Sequence, residues 1–217
     1  NVGVGAFALQ ANTTASQNTA IGYQAAYSTT TTDNNTAIGY QSLYTNTTGS
    51  NLAIGIQSLY YTTTGNLNTT VGRYGALHLN TTGSNNVALG DEALFNNTTG
   101  ANNTGLGYRA LYNNSTVSNN TAVGYNSLLS STTGTGNVAV GTDAGEFATT
   151  ADSSTFVGLQ AGQGITGVKL TGNSNTAVGK DAGLLLQGTA TENTLVGAYA
   201  GDAITTGSEN VCMGLGA

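Results

Sequence analysis

The chain has 217 residues, a net charge of −6 and only four basic side chains. Charged residues make up 6% of it, against roughly 25% in ordinary soluble domains. So few cations leave no basic stripe to neutralise phosphates, which argues against nucleic acid and against an anionic membrane surface. No apolar run approaches the roughly 20 residues of a membrane helix, so insertion into a membrane is not expected.

The chain repeats from its first residues onward. The unit reads Asn, Thr or Val, a small residue, Ile/Val/Leu, Gly, two variable residues, Ala or Ser, then Leu or Gly. Its glycine falls at Gly5, Gly22, Gly39, Gly55, Gly72, Gly90, Gly107, Gly124, Gly141, Gly158, Gly179, Gly197 and Gly214, mostly 17 residues apart. A short fixed period is the signature of a solenoid, whose units bury a core only by stacking on their neighbours. With the Asn numbered zero, the strict positions are zero, three, four and seven. Asn18, Ile21 and Gly22 show them, as do Asn35, Ile38 and Gly39, then Asn120, Val123 and Gly124, and Asn137, Val140 and Gly141. Ser154 is the one departure at position zero.

Each strict position has an expected structural role. The Asn belongs to a turn and its amide can stack as a ladder from coil to coil. The residue at position three is expected to point inward from a short strand. The Gly supplies a bend, and the small residue at position seven faces a narrow interior. The runs 36–38 and 41–44 are too short for helices and are bounded by Gly, Asn and Thr, so each repeat reads as two short strands. The expected fold is all-β, a parallel β-solenoid (β-roll) of 13 coils in a single domain over residues 1–217.

Taken in order, the coils fall into two types. Residues 1–136 carry aromatic flanks. Tyr23, Tyr40, Tyr108 and Tyr125 at position five are expected to line one edge, with Tyr44 and Tyr112 at position nine. Such rows stabilise stacked strands, pack between subunits, or stack on sugar rings. The turns hold sequons at Asn12, Asn46, Asn80, Asn97 and Asn114, and also at Asn34, Asn68, Asn102 and Asn119. A turn location makes them candidate glycosylation sites. His78 is the only histidine and is read as facing solvent. Threonines at position one suggest a flat ice-binding array, but interruptions such as Leu52 and Val87 fit a half-buried slot better.

Residues 137–217 carry Gly in place of Leu at position eight, as in Asp143-Ala144-Gly145, which is expected to narrow the coil. A 21-residue gap places an inserted loop at 163–174, including Lys169, and insertions in solenoids often form the binding face. The acids Asp143, Asp181 and Asp202 recur near equivalent positions, but Gln160 and Tyr199 break the row. Without a second histidine or a cysteine pair, no triad, zinc site or other cofactor site is expected, and the chain is not read as an enzyme. The lone Cys212 occupies a small-residue slot and is read as a structural thiol.

The unit Asn-Thr-Ala-Ile-Gly-x-x-Ala/Ser, as in residues 18–25 and 120–127, resembles the head repeat of trimeric autotransporter adhesins. It is still more similar to the Asn-Thr-Ala-Ile-Gly-Tyr-Gln-Ala-Leu and Asn-Thr-Thr-Gly arrays of phage-type tail-fibre proteins. The resemblance covers essentially the whole chain, with a longer period than the adhesin repeat. It implies a left-handed parallel β-roll, a homotrimer, and a place outside the cell, on a cell surface or on a virion. The expected function is a structural fibre shaft or adhesive head, with surface glycans as the candidate ligand. The chain begins and ends inside copies of the motif, so the alternative is an extracellular filament whose subunits stack end to end. A solenoid enzyme acting on polysaccharide ranks last. Self-association is expected to bury Leu43, Leu59, Leu94, Leu111 and Leu128.

Overall fold

A computed structural model describes residues 1–217 and shows thirteen short parallel strands, one per repeat, and no helix. The chain forms two compact units, residues 1–106 and 107–217, each a parallel β-solenoid. The first contains β1 (Val2–Val4), β2 (Thr19–Ile21), β3 (Thr36–Ile38), β4 (Leu52–Ile56), β5 (Thr69–Tyr74), β6 (Val87–Leu89) and β7 (Thr104–Leu106). The second contains β8 (Thr121–Val123), β9 (Val138–Val140), β10 (Thr155–Val157), β11 (Thr176–Val178), β12 (Thr194–Val196) and β13 (Val211–Met213). Within each unit every strand pairs with the next along the chain, and equivalent repeat positions face each other, as in Thr36↔Leu52, Ala37↔Ala53 and Ile38↔Ile54. The change to Gly at position eight, near residue 137, falls inside the second unit.

The strands are only three residues long at most sites, so each has a single inward residue. That residue is position two. Ala20, Ala37, Ala53, Ala88, Ala122, Ala139 and Ala177 are fully buried. Position three points out, with Ile21, Val71 and Leu89 each 39% exposed. This reverses the expectation that Ile21, Ile38, Val123 and Val140 face the interior. Strand side chains alternate between faces, and where Leu at position eight already fills the section the inner face of the strand has room only for a small residue.

The second half of each repeat is not a strand. Residues at positions six and eight adopt left-handed backbone, as at Gln41 (φ 51°) and Leu43 (φ 52°), and the segment is a series of turns. It still bonds coil to coil. Gln41 N–H donates back to Tyr23 C=O at 2.9 Å, and Leu43 N–H donates forward to Ser58 C=O at 2.9 Å. The left-handed turn at position eight carries its leucine inward. Leu43, Leu59, Leu94, Leu111 and Leu128 are all fully buried within their own coils. They are the core of the solenoid and are not available to an outer association face.

The bend glycines do what was expected of them, for two reasons. Gly39 has φ +137°, a backbone conformation that side chains rarely adopt. A Cβ there would also collide with the carbonyl of Gly55 in the next coil. The later coils lose Leu at position eight but do not leave its space open. Phe156, at position two of its coil, is fully buried, and a Cβ at Gly145 would lie 2.6 Å from its ring. Leu195 fills the equivalent space beside Gly183 and Gly201. Bulk moves from one inward position to the other, so the core stays filled.

The position-zero asparagines form an internal ladder. The side chains of Asn18, Asn35, Asn68, Asn120 and Asn137 are almost fully buried. Asn18 Oδ1 accepts the N–H of Asn35 at 2.8 Å, Asn35 Oδ1 that of Asn51 at 2.8 Å, and Asn51 Oδ1 that of Asn68 at 2.9 Å. In the second unit Asn120 Oδ1 accepts from Asn137 and Asn137 Oδ1 from Ser154, both at 2.9 Å. The amide nitrogen closes the turn of the following coil: Asn51 Nδ2 donates to Gly65 C=O at 2.8 Å and Asn120 Nδ2 to Gly134 C=O at 2.8 Å. Where serine replaces the Asn, Ser154 Oγ accepts the N–H of Asn175 at a longer 3.2 Å.

An orphaned buried donor costs about 1–3 kcal/mol. Asn35→Ala is therefore expected to lower the opening free energy of the Asn51 amide by about that amount, read by native-state hydrogen exchange. Asn35→Ser, which copies the chain's own substitution at 154, is expected to retain part of the protection.

Candidate recognition surface

The outer face of each sheet is built from positions one and three. In the first unit Thr19, Thr36, Leu52, Thr69, Val87 and Thr104 make one column, and Val4, Ile21, Ile38, Ile54, Val71, Leu89 and Leu106 make the other. Every member is half-buried or exposed. The second unit repeats the pattern, with Val138 and Val140 each 38% exposed. Scattered apolar residues on a surface are ordinary, but a contiguous column marks an interaction site.

The aromatic residues form separate rows. Tyr23 and Tyr40 stack at 5.5 Å between ring centroids, with Phe7 edge-on to Tyr23 at 5.8 Å. Tyr44 belongs to another row, in which Tyr27, Tyr44, Tyr60, His78 and Phe95 stack in sequence at 5.0, 5.0, 5.5 and 5.1 Å. His78 is thus a half-buried member of an aromatic stack, where the sequence suggested a solvent-facing side chain. Its Nδ1 lies 3.1 Å from Gln57 C=O, which requires the proton on that nitrogen. Burial, with the neighbouring Tyr44 phenol next, raises the pKa of Tyr60. In the second unit Tyr108 stacks on Tyr125 at 5.4 Å, and the Arg109 guanidinium lies over both Tyr108 and Tyr112.

Stacking changes what these rings can recognise. A ring between two others, such as Tyr44, has both faces covered and keeps only its edge and phenol open, while Tyr40 and Tyr125 each stack on a single ring. A glutamine ladder runs beside the first row: Gln41 Nε2 donates to Gln24 Oε1 at 2.8 Å.

Lys169 is exposed on the inserted loop, which turns tightly through an Ile165↔Val168 bridge. Leu170 returns to the coil, is fully buried and pairs with both Ala148 and Gly188. The insertion is therefore confined to a short projection around 165–169.

The sequons separate into two sets. Asn46, Asn80, Asn97 and Asn114 are fully buried, and their amides work inside the fold. Asn46 Nδ2, for example, donates to Gly49 C=O at 2.7 Å, and Asn97 Nδ2 donates to Asn80 Oδ1 at 2.9 Å. A turn asparagine need not face solvent, because in a narrow coil the turn's own carbonyls lie inside. Asn68 is buried too, and Asn12 is half-buried. Asn34, Asn102 and Asn119 are exposed, each with a left-handed backbone.

A shallow depression of about 350 Å³ lies on the first unit, lined by Asn34, Thr36, Ser50, Asn51, Leu52, Leu67, Asn68 and Thr69. Sequence reading missed it, although two signals were present. The repeat shortens to 16 residues between Gly39 and Gly55, and Leu67 (62% exposed) takes a slot held by Gln17, Asn34, Asn85 and Asn102 elsewhere.

The acids do not assemble into one centre. No group of three or more His, Cys, Asp and Glu side chains is placed to hold a metal ion. Asp181 is buried, and its Oδ2 lies 3.5 Å from Lys180 Nζ, which donates to the Tyr199 hydroxyl at 2.7 Å. That hydrogen bond, together with the charges of Tyr199 and Asp181, raises the pKa of Lys180. Glu146 accepts a hydrogen bond from Gln163 Nε2 at 2.7 Å. Burial and the nearby Asp143 raise its pKa above the ordinary 4.5, against the lowering effect of Gln163. No family model, characterised protein or solved structure matches this chain.

Two outcomes follow. Because the folded state holds the Glu146 proton more tightly than the unfolded chain, this group's stabilising effect is complete below its ordinary pKa. It is lost as pH rises through the folded value. Glu146→Gln is therefore expected to gain stability relative to the parent as pH rises from the ordinary carboxylate range toward neutrality, checked by denaturant melts across pH. When the chain is secreted through a glycosylating pathway, folded product is expected to carry glycan at Asn34, Asn102 or Asn119. None is expected at Asn46, Asn80, Asn97 or Asn114, as site mapping by mass spectrometry would show.

Proposed function

We propose that this protein is a structural extracellular fibre shaft or adhesive head of the tail-fibre and adhesin type, assembled as a homotrimer. A parallel β-solenoid of near-identical coils suits a structural or adhesive repeat protein, because its length follows from repeat number. The observation that supports self-association is the outward column at position three, and the number three follows the resemblance to trimeric adhesin heads. It presents Ile, Val or Leu in every coil of the first unit and Val or Met in every coil of the second. Fully burying one such side chain contributes about 1.5–3 kcal/mol. A column of them offers a large association energy that one chain alone leaves unused.

Further copies of the same chain fit this face best. The column is uncharged and repeats at the coil spacing, so an identical column matches it in both chemistry and period. Surface glycan is the ligand class that suits an adhesive role. The shallow depression joins the hydroxyls of Thr36, Ser50 and Thr69 and the amide of Asn34 to the apolar Leu52 and Leu67.

Sedimentation and native mass measurement test the assembly. The expected species is a discrete trimer, converted to monomer with unchanged circular dichroism by Ile38→Asp together with Val71→Asp. Monomer alone at high concentration would overturn the proposal. Open-ended polymer would replace it with the end-stacked filament.

A further inference from the structure

Seven of the 11 tyrosines stand in coil-to-coil stacks. In the longest run, Tyr27 and Tyr44 have centroids 5.0 Å apart with planes inclined by 15°, and Tyr44 and Tyr60 are 5.0 Å apart at 6°. The backbone fixes this register: Ser28 N–H donates to Tyr44 C=O at 3.0 Å, and Thr45 N–H donates to Tyr60 C=O at 3.1 Å. The rings are half-buried, so an edge of each reaches solvent. Near-parallel rings carried at the same repeat position of in-register coils bring the ring carbons ortho to the hydroxyls of adjacent tyrosines close together. The row continues into His78 and Phe95, which have no phenol.

We propose that these stacks are sites of oxidative tyrosine coupling, in which peroxide acting through a haem peroxidase joins neighbouring coils by carbon–carbon bonds. Each phenol gives up one electron and its phenolic proton, leaving a phenoxyl radical with spin on the ortho carbons. Two such radicals on adjacent coils form one ortho–ortho bond. Each joined carbon then loses its hydrogen as the ring becomes aromatic again, and both hydroxyls are restored. The net change breaks two aryl C–H bonds and makes one C–C bond, and the two hydrogens reduce one hydrogen peroxide to two waters. A Tyr27–Tyr44 or Tyr44–Tyr60 link would close a loop of one coil and remove unfolded-state entropy as other covalent staples do. The coupling needs only the stacking within one chain, so it stands apart from the trimer.

The test treats dilute folded protein with a haem peroxidase and hydrogen peroxide, using a mixture of isotopically heavy and light chains. Expected are dityrosine fluorescence, loss of two hydrogens per link in the chain mass, and mapped Tyr27–Tyr44 or Tyr44–Tyr60 links that never join heavy to light. Tyr44→Phe keeps a ring in the stack and is expected to abolish both links while the Tyr23–Tyr40 link persists. The denatured chain is expected to couple without this selectivity. The proposal is overturned if the folded chain forms no dityrosine under conditions that couple the denatured chain. It is equally overturned if the links join heavy to light chains, or if Tyr44→Phe leaves the link pattern unchanged.

Discussion

The solenoid depends on one amide. A coil that turns into a three-residue strand brings a backbone N–H into an interior too narrow for water, and the strand ladder starts one residue too late to satisfy it. The asparagine of the preceding coil supplies the missing acceptor, as when Asn35 Oδ1 takes the N–H of Asn51 at 2.8 Å. The amide nitrogen of these side chains donates to a turn carbonyl, in the following coil for Asn51 (Gly65 C=O) and in its own preceding turn for Asn35 (Thr32 and Asp33 C=O), so both ends of a buried polar side chain are used. Fully satisfied buried networks fix a unique arrangement. Here the network fixes register, since a strand that slipped by one residue would leave the amide and its partners unmatched.

Around that ladder the core divides its bulk between two inward positions. Most coils pair a small residue at position two with Leu at position eight, as in Ala37 with Leu43. The coil of Phe156 and Gly162 inverts the arrangement, as does that of Leu195 and Gly201. Both solutions fill the section, and neither tolerates a large residue at both places, because the Gly162 Cβ would overlap the Phe156 ring. Where both inward positions are small, as with Ala139 and Gly145 or Ala177 and Gly183, side chains from elsewhere fill the space, Phe156 beside Gly145 and Leu186 and Leu195 beside Gly183.

The repeat made the architecture legible, and the ladder, the bend glycines and the coil period could be read from strictness alone, but the second strand expected in each repeat is a series of turns. Orientation could not. Position three is strictly apolar and mostly β-branched, and strictness there resembles the mark of a core site. The informative residue was position two. Ala20, Ala37 and Ala53 admit no larger neighbour on the inner face, so alternation forces Ile21, Ile38 and Ile54 outward. The left-handed turns at Gln41 and Leu43 were also hidden, because neither residue type advertises such a conformation. That concealment made a row of core leucines look like an association face, and it made buried amides such as Asn46 look like exposed turn residues.

With leucines inside and Ile/Val columns outside, the exposed apolar area lies on the sheet face itself. The aromatic rows serve a different purpose, because stacked rings cover one another's faces. Sugar stacking requires an open face, and a ring between two neighbours has none to give. Inside the Tyr27–Phe95 row a ligand meets only edges and hydroxyls, while Tyr40 and Tyr125 end their rows with a ring on one side only; the coil-to-coil contacts add cohesion along the direction in which the ladder already runs. The proposed assembly face and the cohesion between coils thus lie on different faces of one repeat. The shallow depression beside Leu67 is a place where the repeat departs from its own pattern, and a departure from pattern is where a solenoid can carry specificity without disturbing its coils.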